Sequence, residues 1–197
     1  HYQWNVDIWG MEGIEADAEL LSVMVHMFRS VGLTHDDIVI RISSRKVLEE
    51  VLGSLEIDGD SFTKTCVIVD KMDKLPADTV SAQLSELGIS DSSIATIQSV
   101  LGLTELSELK RMLSPGSPAV VELERLFQLL DSYGISEWTT FDASIVRGLA
   151  YYTGPVFEAH DKAGELRAIC GGGRYDKLIG TLGGRDLPVR LVDPVQK

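Results

Sequence analysis

The chain has 197 residues, 44% hydrophobic and 24% charged, a balance typical of a protein with an apolar core. Its formal net charge of −12 argues against nucleic acid binding over the whole surface, although a local basic cleft stays compatible with it. The sequence contains no run of 18 apolar residues, the pattern that would indicate a membrane span. Two cysteines, Cys66 and Cys170, fit a reducing compartment. They have no Cys/His cluster nearby in the sequence, which argues against a zinc site.

The first elements are predicted from hydrophobic periodicity. Apolar and polar residues alternate over residues 1–8, which predicts a strand. An amphipathic pattern predicts a helix over residues 14–31, with three acidic residues near its positive N-terminal end and Gly32 as a stop. A β-branched run at residues 38–42 predicts a short buried strand.

Residues 44–135 have a different texture and predict an all-helical insertion domain. Pro, Ser and Gly separate short amphipathic segments, and Pro76 and Pro118 stand where helices are expected to begin. The expected helices cover residues 45–52, 62–74, 77–87, 92–101, 105–113 and 119–133. The region holds 8 Lys and Arg against 15 Asp and Glu, a net charge of −7.

Strand signals return after residue 136. We expect strands at residues 138–141, 155–160 and 165–170, with a hairpin turn at Ala163-Gly164 between the last two. Three glycines, Gly171, Gly172 and Gly173, predict a flexible loop, and residues 175–182 can begin a helix. Residues 1–43 and 136–197 therefore form an α+β core around the insertion.

Residues 147–154 combine an arginine, two glycines and adjacent tyrosines. The guanidinium of Arg147 suits a phosphate or carboxylate, and Tyr151 and Tyr152 could orient a polar ligand between their rings. The alternative is a surface loop with a salt-bridging arginine. The glycines at 171–173 also have two interpretations: they either admit a ligand close to the backbone or make a turn. They match neither common phosphate-loop pattern.

Gln3 and Asp7 are four residues apart on the predicted first strand, so their side chains point to the same face. A carboxylate with an amide acceptor could hold an ammonium group. The alternative is an exposed polar sheet edge.

Taken together, these segments resemble one family. RGLAYYTGPVFE (residues 147–158) is similar to the first histidine-specific motif of histidyl-tRNA synthetases, and GGGRYDKL (171–178) to part of the second. HYQWNVDIWG (1–10) resembles the second half of motif 2 of class II synthetases, in the sequence variant typical of eukaryotic and plant-organelle-like members. SSRKVLEEVL and VIVDKMDKL resemble the insertion of that branch.

The resemblance implies an antiparallel class II sheet flanked by helices, a homodimer, and a ligase reaction. Histidine and ATP would give histidyl-adenylate, from which histidine passes to tRNA(His). ATP would be a substrate accompanied by Mg²⁺, with no protein metal site. Family members of this kind work in the cytoplasm or an organelle, and no secretion signal is visible.

The resemblance also implies roles for individual residues. Gln3 and Asp7 would hold the α-amino group of histidine. Arg147 would lie against the α-phosphate and the carboxylate as the catalytic residue. The tyrosines Tyr151, Tyr152 and Tyr175 would surround the histidine, the latter two nearest its imidazole, with the 171–173 glycines as the floor of the site.

The sequence departs from the family pattern at both ends. Motif 1, the ATP-gripping arginine of motif 2 and a complete motif 3 are not found, and the residues after Pro188 do not follow the family. We therefore expect an incomplete, inactive fragment. The alternative is a non-charging paralogue, such as the histidine-sensing regulatory subunit of ATP phosphoribosyltransferase. The acidic insertion makes tight tRNA phosphate binding by that module improbable unless its basic residues cluster.

Overall fold

One six-stranded sheet organises the chain in the computed structural model, which describes residues 4–72, 75–147, 151–164 and 167–194. The strands are β1 (Val6–Trp9), β2 (Ile38–Ser44), β3 (Thr139–Phe141), β4 (Pro155–Asp161), β5 (Cys170–Arg174) and β6 (Val189–Pro194). Their order across the sheet is β1-β6-β5-β4-β2-β3. All neighbours are antiparallel except β2 and β3. The expected α+β class with an antiparallel sheet flanked by helices is confirmed.

Eight helices accompany these strands in the described residues. They are α1 (Glu15–Ser30), α2 (Arg45–Ser54), α3 (Gly59–Val69), α4 (Ala77–Glu86), α5 (Asp91–Leu101), α6 (Leu106–Met112), α7 (Pro118–Ser132) and α8 (Leu178–Thr181). Pro76 and Pro118 stand at the starts of α4 and α7 as expected. The hydroxyls of Ser44, Ser90 and Ser117 each cap the helix that follows. Between residues 45 and 135, the regular elements of the described part are all helices.

The two faces of the sheet have different surroundings. One face, here called the helix face, packs against α1 and α7 through a continuous apolar core that includes Phe28, Ile40 and Phe157. The opposite face, here called the site face, carries a smaller apolar cluster around Tyr152 and Tyr175. Because α7 contacts α1 directly, the last predicted helix of the insertion lies on the core. The division into a 44–135 insertion and a two-part core remains a prediction.

The glycine run differs from the sequence-based expectation. Gly171, Gly172 and Gly173 form the buried centre of β5, paired on both sides, and are not a flexible loop. Glycine is disfavoured in strands, so propensity alone pointed away from this assignment. The strand begins only at Cys170, and Glu165 and Leu166 lie outside the described residues.

Other boundaries also shift. The helix predicted from residue 175 begins only at Leu178, because Tyr175 still bonds to β6 through its backbone. The first strand is Val6–Trp9, while residues 1–3 lie outside the described part. Strand β6 was not predicted, and it lies between β1 and β5, one strand in from the edge of the sheet.

Candidate functional site

The glycines of β5 make room for side chains that cross the strand. A Cβ atom at Gly171 would collide with the guanidinium of Arg147 and lie 2.7 Å from the Phe157 carbonyl oxygen. A Cβ atom at Gly173 would lie 2.8 Å from the Tyr152 ring. These separations are too short for real contacts, so larger residues would displace both side chains. The glycines thus form the floor under Arg147 and Tyr152.

Arg147 lies almost buried on this floor, with 11% of its side chain exposed. Its Nη1 is 3.6 Å from Oε1 of Glu158, and its Nη2 is 3.8 Å from Oδ1 of Asp193. The guanidinium carbon also stands 5.8 Å from the centre of the Tyr152 ring. The backbone of Arg147 has a φ of 46°, a strained conformation for a residue with a side chain. The surroundings therefore hold the guanidinium in a defined place.

Three tyrosines form a wall beside the arginine. The rings of Tyr151 and Tyr152 are 4.9 Å apart, and those of Tyr151 and Tyr175 are 5.7 Å apart. The hydroxyl of Tyr175 donates a hydrogen bond of 3.4 Å to Oδ1 of Asp7. Burial raises the pKa of both Tyr152 and Tyr175, so their hydroxyls stay protonated at neutral pH and can donate.

The structure thus brings together most of the residues selected from the sequence. Asp7, Arg147, the three tyrosines and the glycines at 171 and 173 meet on the site face. Gly172 faces the other side, where its Cβ would lie 3.0 Å from the Phe157 ring. Gln3 falls outside the described residues.

Two carboxylates of the site were not selected from the sequence. Glu158 and Asp193 are both register partners of Gly171, one on β4 and one on β6. Strand alternation could have placed Glu158 on the face of the site, because it lies in a predicted strand. Asp193 could not be found this way, since no strand was predicted at its position.

Arg174 follows the glycines but does not join the site. It points to the helix face, where Nη1 donates to Glu122 at 2.8 Å and Nε donates to Asp17 at 3.3 Å. Arg190 also bonds to Asp17, at 3.1 Å, and to the carbonyl oxygen of Glu12 at 3.0 Å. This buried network, here called the helix-face network, fixes β5 and β6 to α1 and α7 directly beneath the site.

A cavity of about 330 Å³ lies away from the site, between α3, α5 and the loop after β3. It is lined by Val69, Met72, Gln98, Leu101, Gly102, Thr104, Asp142 and Ser144. None of the described site residues borders it. The carboxylate of Asp142 is already engaged by Ser144 at 2.6 Å and by Arg41 at 3.4 Å.

Two further features concern the described part of the chain. Within it, no three His, Cys, Asp or Glu side chains are grouped so that they could hold a metal ion. Among the same residues, no helix combines the length and apolar character needed to cross a membrane. The Cys170 thiol packs against Met24, and burial raises the pKa of Cys170 to about 12, so it is not an accessible thiolate.

Comparisons with known proteins place these features in a family. A family model described as histidyl-tRNA synthetase matches residues 1–189. The chloroplastic/mitochondrial histidine–tRNA ligase of Arabidopsis thaliana is 47% identical over 95% of this chain and 39% of its own length. The histidine–tRNA ligase of Opitutus terrae is 37% identical over 95% of the chain and 44% of its own length. The chain therefore spans less than half of these relatives.

Solved structures agree. The histidyl-tRNA synthetase of Nostoc sp. PCC 7120 superposes with a TM-score of 0.85 at 29% identity, covering 98% of this chain and 48% of that one. A Bacillus halodurans protein described as an ATP phosphoribosyltransferase regulatory subunit/histidyl-tRNA synthetase gives a TM-score of 0.81 at 22% identity, covering 98% of this chain and 50% of that one. The second likeness concerns the fold alone.

Proposed function

We propose that this chain, which belongs to the histidyl-tRNA synthetase family, forms the histidine-binding half of an enzyme that charges tRNA(His) with L-histidine through a histidyl-adenylate made from ATP. The observation that carries the proposal is the placement of Arg147 beside the Asp7–Tyr175 pair on one sheet face. The Arg147 cation suits the carboxylate and phosphate of an amino acid that is being adenylated, and the neighbouring Asp7–Tyr175 pair suits its amino group.

Arg147 supplies the electrostatic part of this chemistry. When the histidine carboxylate attacks the α-phosphate, two anions approach and negative charge builds on the phosphate oxygens. A fixed guanidinium offsets that repulsion most strongly in the transition state. The same planar group can contact the carboxylate and the phosphate at once. Its fixed position over Gly171 supports this role.

The histidine substrate is held by the remaining residues. Asp7 and Gln3 take the α-amino group, the first as a charge and the second as a neutral acceptor. Tyr152 and Tyr175 lie nearest the imidazole, with Tyr151 closing the wall. Tyr152 and Tyr175 would present neutral hydroxyls to the ring, and burial raises their pKa further from neutral pH. ATP enters as a substrate with Mg²⁺, and the groups that grip its triphosphate belong to parts of the relatives that this chain does not span.

The remaining partners follow from the family. The complete protein would be a homodimer that binds tRNA(His) and works in the cytoplasm or an organelle. The Arabidopsis relative is named as chloroplastic/mitochondrial. The acidic insertion would approach the tRNA only where its few basic side chains cluster. Lys110 and Arg111 are neighbours in α6, but they pair with Glu124 and Glu108.

A second candidate is a paralogue that binds histidine without charging tRNA, which the shared fold alone does not separate from the enzyme. The presence of Asp7 and Arg147 in contact with the tyrosine wall argues for the enzyme. A pure histidine sensor has no need of a group that stabilises a transition state.

The two functions differ in one measurement. The full-length protein is assayed for histidine-dependent exchange of pyrophosphate into ATP, alongside histidine binding by calorimetry. The synthetase predicts both activities. Histidine binding without exchange would leave the sensor as the answer, and neither activity would overturn both.

A further inference from the structure

Arg147 sits in a row of charged residues that crosses the sheet. Glu158 on β4 and Asp193 on β6 are the two register partners of Gly171 on β5, and all three positions face the site. The Arg147 guanidinium occupies the space above Gly171, between the two carboxylates. The family match ends at residue 189, so Asp193 lies beyond it.

We propose that Asp193, together with Glu158, is a positioning residue for Arg147, an inference that rests on the proposed function. The strand that brings Asp193 here is central, since β6 bonds to β1 on one side and to β5 on the other. Glu158 and Asp193 thus flank the floor of the site from the two strands beside β5.

The distances show what kind of work the pair performs. At 3.6 and 3.8 Å the two ion pairs are too long for direct hydrogen bonds. Within the described part of the chain, Arg147 Nη1 and Asp193 Oδ1 are buried without a hydrogen-bond partner. The carboxylates therefore hold the guanidinium by charge and do not take up its N–H groups in direct hydrogen bonds. This restraint also offsets the strain of the Arg147 backbone.

A competing effect makes the test decisive. Two carboxylates beside one guanidinium weaken its attraction for a phosphate, so removing one would strengthen anion binding if charge alone mattered. Burial raises the pKa of Asp193, and the charge of Arg147 opposes that shift only in part. Positioning predicts that removing the Asp193 charge slows adenylate formation, whereas charge dilution predicts that it speeds it.

The experiment compares Asp193→Asn with Asp193→Glu and with the control Asp36→Asn, whose side chain is 85% exposed. Full-length variants are assayed for pyrophosphate exchange, histidine affinity and thermal unfolding. We expect Asp193→Asn to lower kcat roughly 10- to 100-fold, with histidine affinity and Tm close to those of the parent. Asp193→Glu restores the charge and should recover part of the rate. Asp36→Asn should behave as the parent.

An unchanged or increased kcat in Asp193→Asn overturns the inference, as does a parallel loss of histidine affinity and Tm. If the parent protein itself shows no exchange, the proposed function fails and a second readout decides the positioning. Side-chain ¹⁵N NMR, assigned with Arg147→Lys, should show slow rotation of the Arg147 guanidinium in the parent and fast rotation in Asp193→Asn. Equal rotation in both proteins would overturn the inference independently of activity.

Discussion

The arginines on the two faces of the sheet differ in how many of their hydrogen-bond donors have a partner. On the helix face, Arg174 and Arg190 donate hydrogen bonds of 2.8–3.3 Å to Asp17, Glu122 and backbone carbonyl oxygens. On the site face, within the described residues, Arg147 makes the longer ion pairs of 3.6 and 3.8 Å and lies against the Tyr152 ring. An arginine thus fixes the scaffold where its N–H donors are hydrogen-bonded, and an arginine whose donors are not all used can receive a ligand.

The difference follows from what each face can tolerate. A buried charge is costly unless hydrogen bonds replace its water, so the helix face supplies several acceptors at once. The site face borders the proposed ligand site, so its donors need not all be used within the chain. The comparison predicts that substitutions on the helix face reduce stability and those on the site face reduce chemistry.

The largest effect is expected at Asp17, where both helix-face arginines converge. Asp17→Asn removes the charge shared by Arg174 and Arg190 and should lower the free energy of unfolding by about 3–5 kcal/mol. Urea denaturation measures this. Glu19→Gln, an exposed acid on the same helix, is the control and should change stability little. Equal stability of the two variants would erase the distinction between the faces.

The next effect concerns Arg147 and should have the opposite signature. Arg147→Ala in the full-length protein should lose about 3 kcal/mol of transition-state stabilisation, roughly a hundredfold or more in pyrophosphate exchange. Histidine binding should weaken much less than exchange, because Asp7 and the tyrosines remain to hold the amino group and the ring. Exchange at the parent rate would contradict the assigned role, and a large drop in unfolding free energy would show that this arginine too is structural.

A smaller effect is expected from the floor. Gly173→Ala places a methyl group against the Tyr152 ring and the Pro155 carbonyl oxygen, which should cost about 1–3 kcal/mol through displacement of the ring. Histidine affinity should fall with it. Gly53→Ala is the control, because it lies in α2 with open space around its Cβ position and should stabilise slightly. A Gly173→Ala variant with parental affinity would mean that the floor tolerates a side chain.

The smallest effect is expected at the tyrosine wall. Tyr175→Phe removes the hydrogen bond to Asp7 and should weaken histidine binding by about 1 kcal/mol, the usual net contribution of such a bond. Tyr133→Phe, at a half-exposed tyrosine outside the site, serves as the comparison in the same calorimetric titration. Tighter binding by Tyr175→Phe would indicate that the hydroxyl competes with the substrate for Asp7.

Sequence reasoning found the parts of the molecule whose signal is local. The apolar face of α1 and the proline at the start of α7 specify helices by themselves. The tyrosines, Arg147 and Asp7 were found because their motifs resemble a family. Asp17 was recognised as an acid near a helix N-terminus, but its burial between two arginines depends on strands far away in the chain.

The misses have physical causes. Three glycines carry no side-chain periodicity, so β5 has no alternating pattern, and its glycines are explained only by Arg147 and Tyr152 lying across them. In β6, Arg190 occupies a position that points into the helix-face core, which breaks the expected apolar alternation. Without a predicted β6, Asp193 had no face to be assigned to.

The strand order has a consequence for biosynthesis. In the described part of the sheet, β1 pairs with β6 alone, Trp9 standing opposite Val189. Asp7 leaves the ribosome long before β6, the strand that pairs with β1, has been synthesised. By then α1 and the local helices can already collapse. Closing a pair so distant along the chain is slow. The histidine pocket is therefore expected to be the last part of this region to mature, and nascent chains halted before β6 should expose an unpaired first strand to chaperones.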